Sequence, residues 1–174
     1  MRWLIAPEVP PASRVALLDA LATDAMKRPL VQRLAAMVTR AGTERSRAQR
    51  VLSLVHKLPY RPDPAGDEVF QDAHETIAHG GDCEDLATLF VALTRLVGLR
   101  AQIVWLNQQI HGAALNHVFA QVFVDGRWLD AESSIAGALL GDTPAKAATL
   151  RRGNTGAPYR VVGSEGKNRR ARNE

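Results

Sequence analysis

The sequence predicts an α+β fold in which one long helix packs against a small antiparallel sheet. Three observations predict it: residues 12–58 carry apolar positions at helical spacing, residues 83–98 repeat that pattern with more apolar residues, and residues 116–132 alternate with the period of a β-hairpin. With 174 residues and 46% hydrophobic content, the chain can bury one sizeable core. We therefore expect a single domain over residues 1–162.

The N-terminal region predicts three amphipathic helices that cover the core. Ser13 is a candidate N-cap for a first helix that ends near Ala22. Pro29 begins a second predicted helix, because the first turn of a helix tolerates a proline, which has no backbone N–H. Thr43 introduces a third helix that runs to Leu58. His56 near its end would place a cation against the negative end of the helix dipole.

The predicted core occupies residues 59–134. A loop is followed by a short helix from about Asp67 to His79, then by the helix that starts at Cys83 and a strand over Arg100–Leu106. The hairpin adds two strands, and Tyr159–Val162 is a candidate for the last one. The result is a nucleophile helix packed on an antiparallel sheet.

Cys83, the only cysteine of the chain, begins the most apolar helical pattern. Asp82 is a natural N-cap, Asp85 three residues later resembles a capping box, and Gly98 ends the helix. The apolar positions are Leu86, Leu89, Phe90, Leu93, Leu96 and Val97. Because a helix N-terminus favours negative charge, we expect a thiolate with a lowered pKa. The alternative is a buried structural cysteine.

The run from 116 to 132 predicts a hairpin that begins near His117. Its Asp125-Gly126 pair, between two β-rich stretches, is a strong signal for a two-residue turn. The register that follows from this turn places Asp130 and Glu132 on the same face of the sheet as His117. Both acids are therefore candidate partners of the histidine.

The register ranks the two acids. Asp130 falls opposite Gln121, about 13 Å along the strand from the position of His117, which is too far for a hydrogen bond. Glu132 falls opposite Phe119, on a diagonal of roughly 7–8 Å between α-carbons. A histidine that accepts a thiol proton needs a carboxylate to hold its tautomer. We predict Glu132 in this role, and Asp130 if a bulge shifts the register.

Four further segments share motifs with a known family: Gly81–Ala87, Leu93–Leu99, Leu58–Pro64 and Glu68–Gln71. Together with a histidine on a strand and a hairpin that ends in an acid, they resemble the transglutaminase-like superfamily of papain-type thiol enzymes, in particular its bacterial and phage-encoded cysteine peptidases. The resemblance covers about residues 50–134. It implies a papain-like core with the nucleophile on the helix and the base and acid on the sheet.

The resemblance implies a Cys-His-Asp triad that acts on amide carbonyls of peptides or proteins, by hydrolysis or by acyl transfer to an amine through a thioester. Cys83 matches the nucleophile and His117 the base. In the family the aspartate usually comes four residues after the hairpin tryptophan. Counting from Trp128 arrives at Glu132, whereas Asp130 comes only two residues after it. The chain therefore departs from the family by a glutamate in place of the aspartate.

A second function class stays open at this point. A structural or binding protein that retains the scaffold, for example a phage particle component with phage structural partners, would use the cleft for docking, because fold alone does not establish activity. A carboxylate within reach of His117 favours the enzyme. Gln71 is a candidate side-chain donor to the reaction's oxyanion, with an exposed polar residue on the preceding helix as the alternative.

No cofactor or metal is expected. His74 and His79 lie within ten residues of Cys83, but one cysteine without a paired second one leaves a zinc site incomplete. No calcium-loop pattern appears either. No apolar run reaches the length of a membrane span, and a lone thiol suits a reducing compartment, so we expect a cytoplasmic protein, or a virion-associated one if it is phage-encoded.

The basic segment 163–174 is predicted to be a disordered tail. A basic tail can hold nucleic acid or an acidic partner. The formal net charge of the chain is only +4, and no aromatic residues are interleaved with the basic ones. We therefore expect a solvated tail and no nucleic-acid partner.

Overall fold

The computed structural model describes residues 1–38, 41–110, 113–142 and 160–163. The elements in that part of the chain are β1 (Arg2–Leu4), α1 (Pro11–Ala25), α2 (Pro29–Met37), α3 (Glu44–Val55), β2 (Val69–Gln71), α4 (Ala73–His79), α5 (Cys83–Leu96), β3 (Arg100–Ile110), β4 (Ala113–Val124), β5 (Arg127–Ala131) and β6 (Arg160–Gly163). This mixture of helices and antiparallel strands confirms the predicted α+β class. None of the described helices is long and apolar enough to span a membrane.

The main sheet has the strand order β5-β4-β3-β6 and is antiparallel throughout. The hairpin register is as predicted, with Gln121 opposite Asp130. Its two turn residues, Asp125 and Gly126, have φ values of 52° and 79°, as a primed turn requires. The ladder between β4 and β5 ends where Ala120 meets Ala131, so Glu132 is the first residue beyond it.

The core lies between α5 and one face of this sheet. The middle of α5 is fully enclosed, because α1, α2 and α3 contact it on the sides that the sheet leaves open. Its buried apolar residues meet Ile103, Trp105, Val118, Ala120 and Val122 of the sheet. A smaller buried cluster, Val104, Leu106 and Phe119, occupies the opposite face. Helix α5 is therefore the central element, and its first residue is Cys83.

The N-terminal helices differ from the prediction in their ends. Helix α1 starts at Pro11, after an extended Pro10, so Ser13 lies inside the first turn and is not the cap. A proline at the first position supplies a φ that already suits the helix. Thr43 does cap α3, since its side chain accepts a hydrogen bond from the backbone N–H of Ser46 at 3.1 Å. Helix α3 ends at Val55, three residues before the expected Leu58.

The predicted helix from Asp67 to His79 is wrong in its first half. Residues Val69–Gln71 form strand β2 instead, and this strand pairs with β1 at the N-terminus. Phe70 is fully buried there. Helix α4 begins only after Asp72, whose side chain accepts from the backbone N–H of Glu75 at 3.0 Å. The predicted last strand corresponds to β6, which extends through Gly163, the first residue of the predicted tail 163–174. Residues 164–174 lie outside the described residues.

We expect Leu89→Ala to lower the free energy of unfolding by about 2–5 kcal/mol, the usual cost of a cavity in a packed core, because Leu89 is 1% exposed on α5. Urea denaturation measures the loss. The matched control is Leu139→Ala at a position 61% exposed, where we expect a change within about 0.5 kcal/mol. Equal losses in the two variants would contradict a core centred on α5.

Candidate active site

The thiol of Cys83 lies at the junction of helix α5 and strand β4. Its side chain is half-buried, and its Sγ donates to Oε2 of Glu84 at 3.1 Å. The backbone N–H of Val118 is also close enough to the sulfur to favour its thiolate form. Because Val118 follows His117 directly, the start of α5 and the histidine of β4 belong to the same region of the molecule.

His117 and Glu132 form a hydrogen-bonded pair. Nε2 of His117 lies 2.6 Å from Oε2 of Glu132, and the carboxylate is fully buried. Its other oxygen, Oε1, accepts from the backbone N–H of Ser134 at 3.1 Å and from the Ser134 hydroxyl at 2.7 Å. Burial alone would raise the pKa of Glu132, but the hydrogen bonds from His117 and Ser134 outweigh it and hold that pKa below its ordinary value.

This pair determines which nitrogen of the His117 ring can act as a base. An ionised carboxylate is an acceptor only, so Nε2 of His117 must carry the hydrogen of the bond to Glu132. In the neutral ring Nδ1 is then the nitrogen with a free lone pair. The ring is 26% exposed and stacks against Phe119 at 6.4 Å between centroids. His117 thus has a fixed tautomer and a fixed plane.

Asp130 does not reach His117. Its Oδ1 accepts from Nε2 of Gln121 at 2.8 Å, and Gln121 in turn accepts from Gln102 across β3 at 2.9 Å. Burial raises the pKa of Asp130. The structure therefore brings Glu132, and not Asp130, to the histidine, as the unshifted hairpin register requires.

The electrostatic surroundings of Cys83 differ from the prediction. Burial, followed by the carboxylates of Glu84 and Asp82, raises the pKa of the Cys83 thiol well above its ordinary value. The expected lowering is wrong because burial of the sulfur and the two acidic side chains beside it outweigh the helix N-terminus, which supplies only about half a positive charge. In this arrangement Cys83 is a thiol that donates to Glu84.

The three acids at the start of α5 also have raised pKa values. Burial is the main reason that the pKa of Asp82 rises to about 10, that of Glu84 to about 7 and that of Asp85 to about 6. Asp82 makes no side-chain cap. The capping box is therefore only half formed: the backbone N–H of Asp82 is close enough to the Asp85 carboxylate to lower its pKa, and Oδ1 of Asp85 also accepts from the backbone N–H of Gln71 at 2.9 Å.

Gln71 takes neither of the roles considered for it. It lies buried in β2 and not exposed on a helix. Its side-chain amide donates to the carboxylate of Asp85 and to the carbonyl of Gly80. The amide is therefore occupied, and Gln71 holds the loop before Cys83 against β2. The backbone N–H of Cys83 remains the donor that the helix start offers to an oxyanion.

Three carboxylates beside the thiol form what we term the acidic cluster: Asp63, Asp82 and Glu84. One oxygen from each lies within 4.8 Å of the others. Oδ1 of Asp82 is buried without a hydrogen-bond partner among the described residues. Carboxylate oxygens are the ligands that calcium and magnesium prefer, so the acidic cluster could hold a divalent cation. It includes neither His74 nor His79.

The acidic cluster and Ser134 were both missed by the sequence analysis. Asp63 is distant from Cys83 in sequence, and no calcium-loop spacing links it to the other two acids. The available signal was the pair of acids on either side of Cys83, because like charges close together can share a cation. For Ser134 the signal was its place two residues after Glu132, the spacing of a local side-chain turn.

Comparison with known protein families identifies one match. The model of the transglutaminase-like superfamily matches residues 32–133, more than half of the chain. No curated protein matches the chain.

Comparison with solved structures finds similar folds. A candidate protease from Parabacteroides distasonis superimposes with a TM-score of 0.56 at 13% identity over 88% of this chain, and a candidate cysteine protease from Cytophaga hutchinsonii with 0.53 at 15% identity over 78%. The chain spans only 30% and 48% of their lengths. LapG from Legionella pneumophila gives 0.51 at 19% identity, covering 83% of this chain and 86% of LapG. At these identities the likeness shows the fold alone.

The raised pKa values at the start of α5 predict that stability falls as pH rises. The folded protein keeps protons on Asp82, Glu84 and Asp85 where the unfolded chain has released them, so the free energy of unfolding should decrease as the pH rises above about 4. Each of the three groups contributes about 1.4 kcal/mol per pH unit until the pH passes its folded pKa, which is about 6 for Asp85, about 7 for Glu84 and about 10 for Asp82. The lowered pKa of Glu132 acts in the opposite direction, because stability from this group is lost only as the pH falls below the ordinary value of about 4.5. Urea denaturation in EDTA measures the slope. Asp82→Asn should flatten it, and an unchanged slope in that variant would contradict the assignment.

A divalent cation should relieve the same repulsion. We expect calcium at about a hundredfold excess over its dissociation constant to raise the melting temperature by about 5–10 °C. Asp82→Asn and Glu84→Gln should abolish the increase, while Asp67→Asn, which removes an exposed carboxylate from the same loop, should retain it. Differential scanning fluorimetry with calcium and with EGTA makes the comparison. An equal increase in all variants would mean that the acidic cluster holds no calcium.

Proposed function

Since the chain belongs to the transglutaminase-like superfamily, we propose that it is a cysteine-dependent amide hydrolase or acyltransferase that acts on peptide or protein substrates. The observation that carries the proposal is the 2.6 Å hydrogen bond between His117 and the buried carboxylate of Glu132. A histidine hydrogen-bonded to a buried, ionised carboxylate, on a strand that approaches the only cysteine of the chain, has a chemical reason in a thiol enzyme. We assign Cys83 as nucleophile, His117 as base and Glu132 as the acid that orients the base.

The first half of the reaction follows from the fixed tautomer of His117. Nδ1 accepts the proton of Cys83, and the sulfur attacks the substrate carbonyl carbon, whose π electrons move to the oxygen. The backbone N–H of Cys83 donates to that oxyanion. When the carbonyl re-forms, the C–N bond breaks and His117 returns its proton to the leaving amine. A thioester on Cys83 remains.

The second half releases the enzyme. Water or a second amine loses a proton to His117 and attacks the thioester carbonyl, and the C–S bond then breaks with the proton returned to sulfur. Throughout, Glu132 stabilises the imidazolium, because a carboxylate that is already ionised and hydrogen-bonded favours the charged ring. Hydrolysis and acyl transfer differ only in which nucleophile reaches the thioester.

The acidic cluster bears on the first proton transfer. In this structure the thiol donates to Glu84, and both Glu84 and Asp82 disfavour its ionisation. A cation held by the acidic cluster would supply the positive charge that lets the thiolate form. His117 must then remove the proton from a Cys83 thiol whose pKa is raised.

A non-catalytic role on the same scaffold is the second candidate, and the raised pKa of Cys83 is the observation that favours it. A structural or binding protein, such as a phage particle component, has no need of a reactive thiolate. The two candidates make opposite predictions about the reactivity of Cys83.

We expect iodoacetamide to alkylate Cys83 at neutral pH, in saturating calcium, faster than it alkylates the unfolded protein. His117→Ala should slow alkylation at least tenfold, because the imidazolium no longer stabilises the thiolate. Glu132→Gln should slow it by more than Asp130→Asn does, since only Glu132 touches the base. Mass spectrometry of quenched samples gives the rates.

The control for the acids is matched in chemistry, since both variants replace a carboxylate with its amide, at half-buried Asp130 on β5 and at buried Glu132 just beyond it. A thiol that reacts no faster than the unfolded protein, with no effect of His117→Ala, would overturn the enzyme and leave the binding role. Slower alkylation in Asp130→Asn than in Glu132→Gln would overturn the assignment of the acid.

A further inference from the structure

We propose that His56, the residue that caps the C-terminal end of helix α3, is a positioning residue for the carboxylate of Glu132. Nε2 of His56 lies 2.9 Å from the backbone carbonyl oxygen of Glu132, 76 positions away in the sequence. A carbonyl can only accept, so Nε2 of His56 is the donor. The inference rests on the proposed function, because it concerns the acid of that reaction.

The backbone of Glu132 needs such a partner. The ladder between β4 and β5 ends at Ala131, so Glu132 lies one residue beyond the last strand pair. Its side chain is nevertheless fully buried. A buried carbonyl without a hydrogen bond would be costly, and β4 no longer supplies one at this position. His56 supplies it from another element.

Glu132 is thereby held at both ends. Its carboxylate is fixed by His117 through one oxygen and by Ser134 through the other, and its main chain is fixed by His56. Glutamate has one more rotatable bond than aspartate, so a carboxylate on this longer side chain is less confined by its own backbone. An anchored main chain limits the directions from which the carboxylate can approach His117.

His56 is itself well placed to act as an anchor. It is the C-cap of α3, and its backbone N–H donates to the carbonyl of Leu52 at 2.9 Å. The same helix holds the chain beyond Glu132 at a second point, because Gln49 accepts from the backbone N–H of Leu140 at 2.9 Å and Arg45 donates to the carbonyl of that residue at 3.2 Å. Helix α3 is therefore the support on which the segment after β5 rests.

The test compares two substitutions of His56 that differ in the donor. His56→Gln keeps an amide N–H that can reach the carbonyl, whereas His56→Leu has a similar size and no donor. Lys57→Ala is the matched control, an exposed cation at the same helix end. Two quantities are measured under identical buffer conditions: the alkylation rate of Cys83 and the NMR resonance of the His117 Nε2 proton, assigned by its loss in His117→Ala.

We expect His56→Leu to broaden or abolish the His117 Nε2 proton resonance and to slow alkylation by about tenfold, the equivalent of one ordinary hydrogen bond. His56→Gln should restore both, and Lys57→Ala should change neither. The rescue separates positioning from general destabilisation, because loss of the resonance through unfolding would appear in the melting temperature and would not depend on an N–H donor.

The outcomes separate this inference from the proposed function. An unchanged resonance in His56→Leu, or one that His56→Gln fails to restore, overturns the positioning role while the triad stands. If His117→Ala leaves alkylation unaffected, the triad fails, and the resonance still decides whether His56 orders Glu132. A normal resonance in His56→Leu with slowed alkylation also overturns the inference, since the effect would then not pass through Glu132.

Discussion

The buried carboxylate of Glu132 is the interaction on which the site depends. An ionised group in the interior must be paired and hydrogen-bonded, because its desolvation is otherwise too costly. The carboxylate of Glu132 meets that condition with His117 from β4 and Ser134 from its own segment, and His56 at the end of α3 holds the backbone carbonyl of the same residue. One residue therefore joins the hairpin register, the end of β5 and an N-terminal helix.

The start of α5 presents the opposite situation. Asp82, Glu84 and Asp63 lie close together, and the first two add to burial in raising the pKa of Cys83. Both carboxylate oxygens of Glu132 are hydrogen-bonded, whereas Oδ1 of Asp82 is buried without a hydrogen-bond partner among the described residues. Sites that carry function commonly depart from the most stable arrangement, and here the departure is confined to the end of one helix, while the rest of α5 is packed in the core.

The parts of the fold that the sequence predicted correctly have local signals. The apolar period of α5 and the two-residue turn of the hairpin each lie within a short window, and the turn alone sets the register that brings Glu132 to His117. The pairing of β1 with β2 has no such signal, because it joins Arg2 to Gln71. The direction of the Cys83 pKa shift could not be predicted from the sequence either, because it depends on how deeply the fold buries the sulfur and where it places the surrounding acids.

The two glycines before Cys83, Gly80 and Gly81, link the local sequence to this non-local arrangement of acids. Gly81 donates to the carbonyl of Pro59 at 3.3 Å and accepts from the N–H of Arg61 at 2.9 Å, so the loop that carries Asp63 runs directly beside the start of α5. A Cβ at Gly80 would lie 2.0 Å from the Pro59 oxygen, and the two segments would have to separate. The two glycines before Cys83 therefore allow the close approach that brings Asp63 to Asp82 and Glu84, and with it the electrostatic surroundings of the Cys83 thiol.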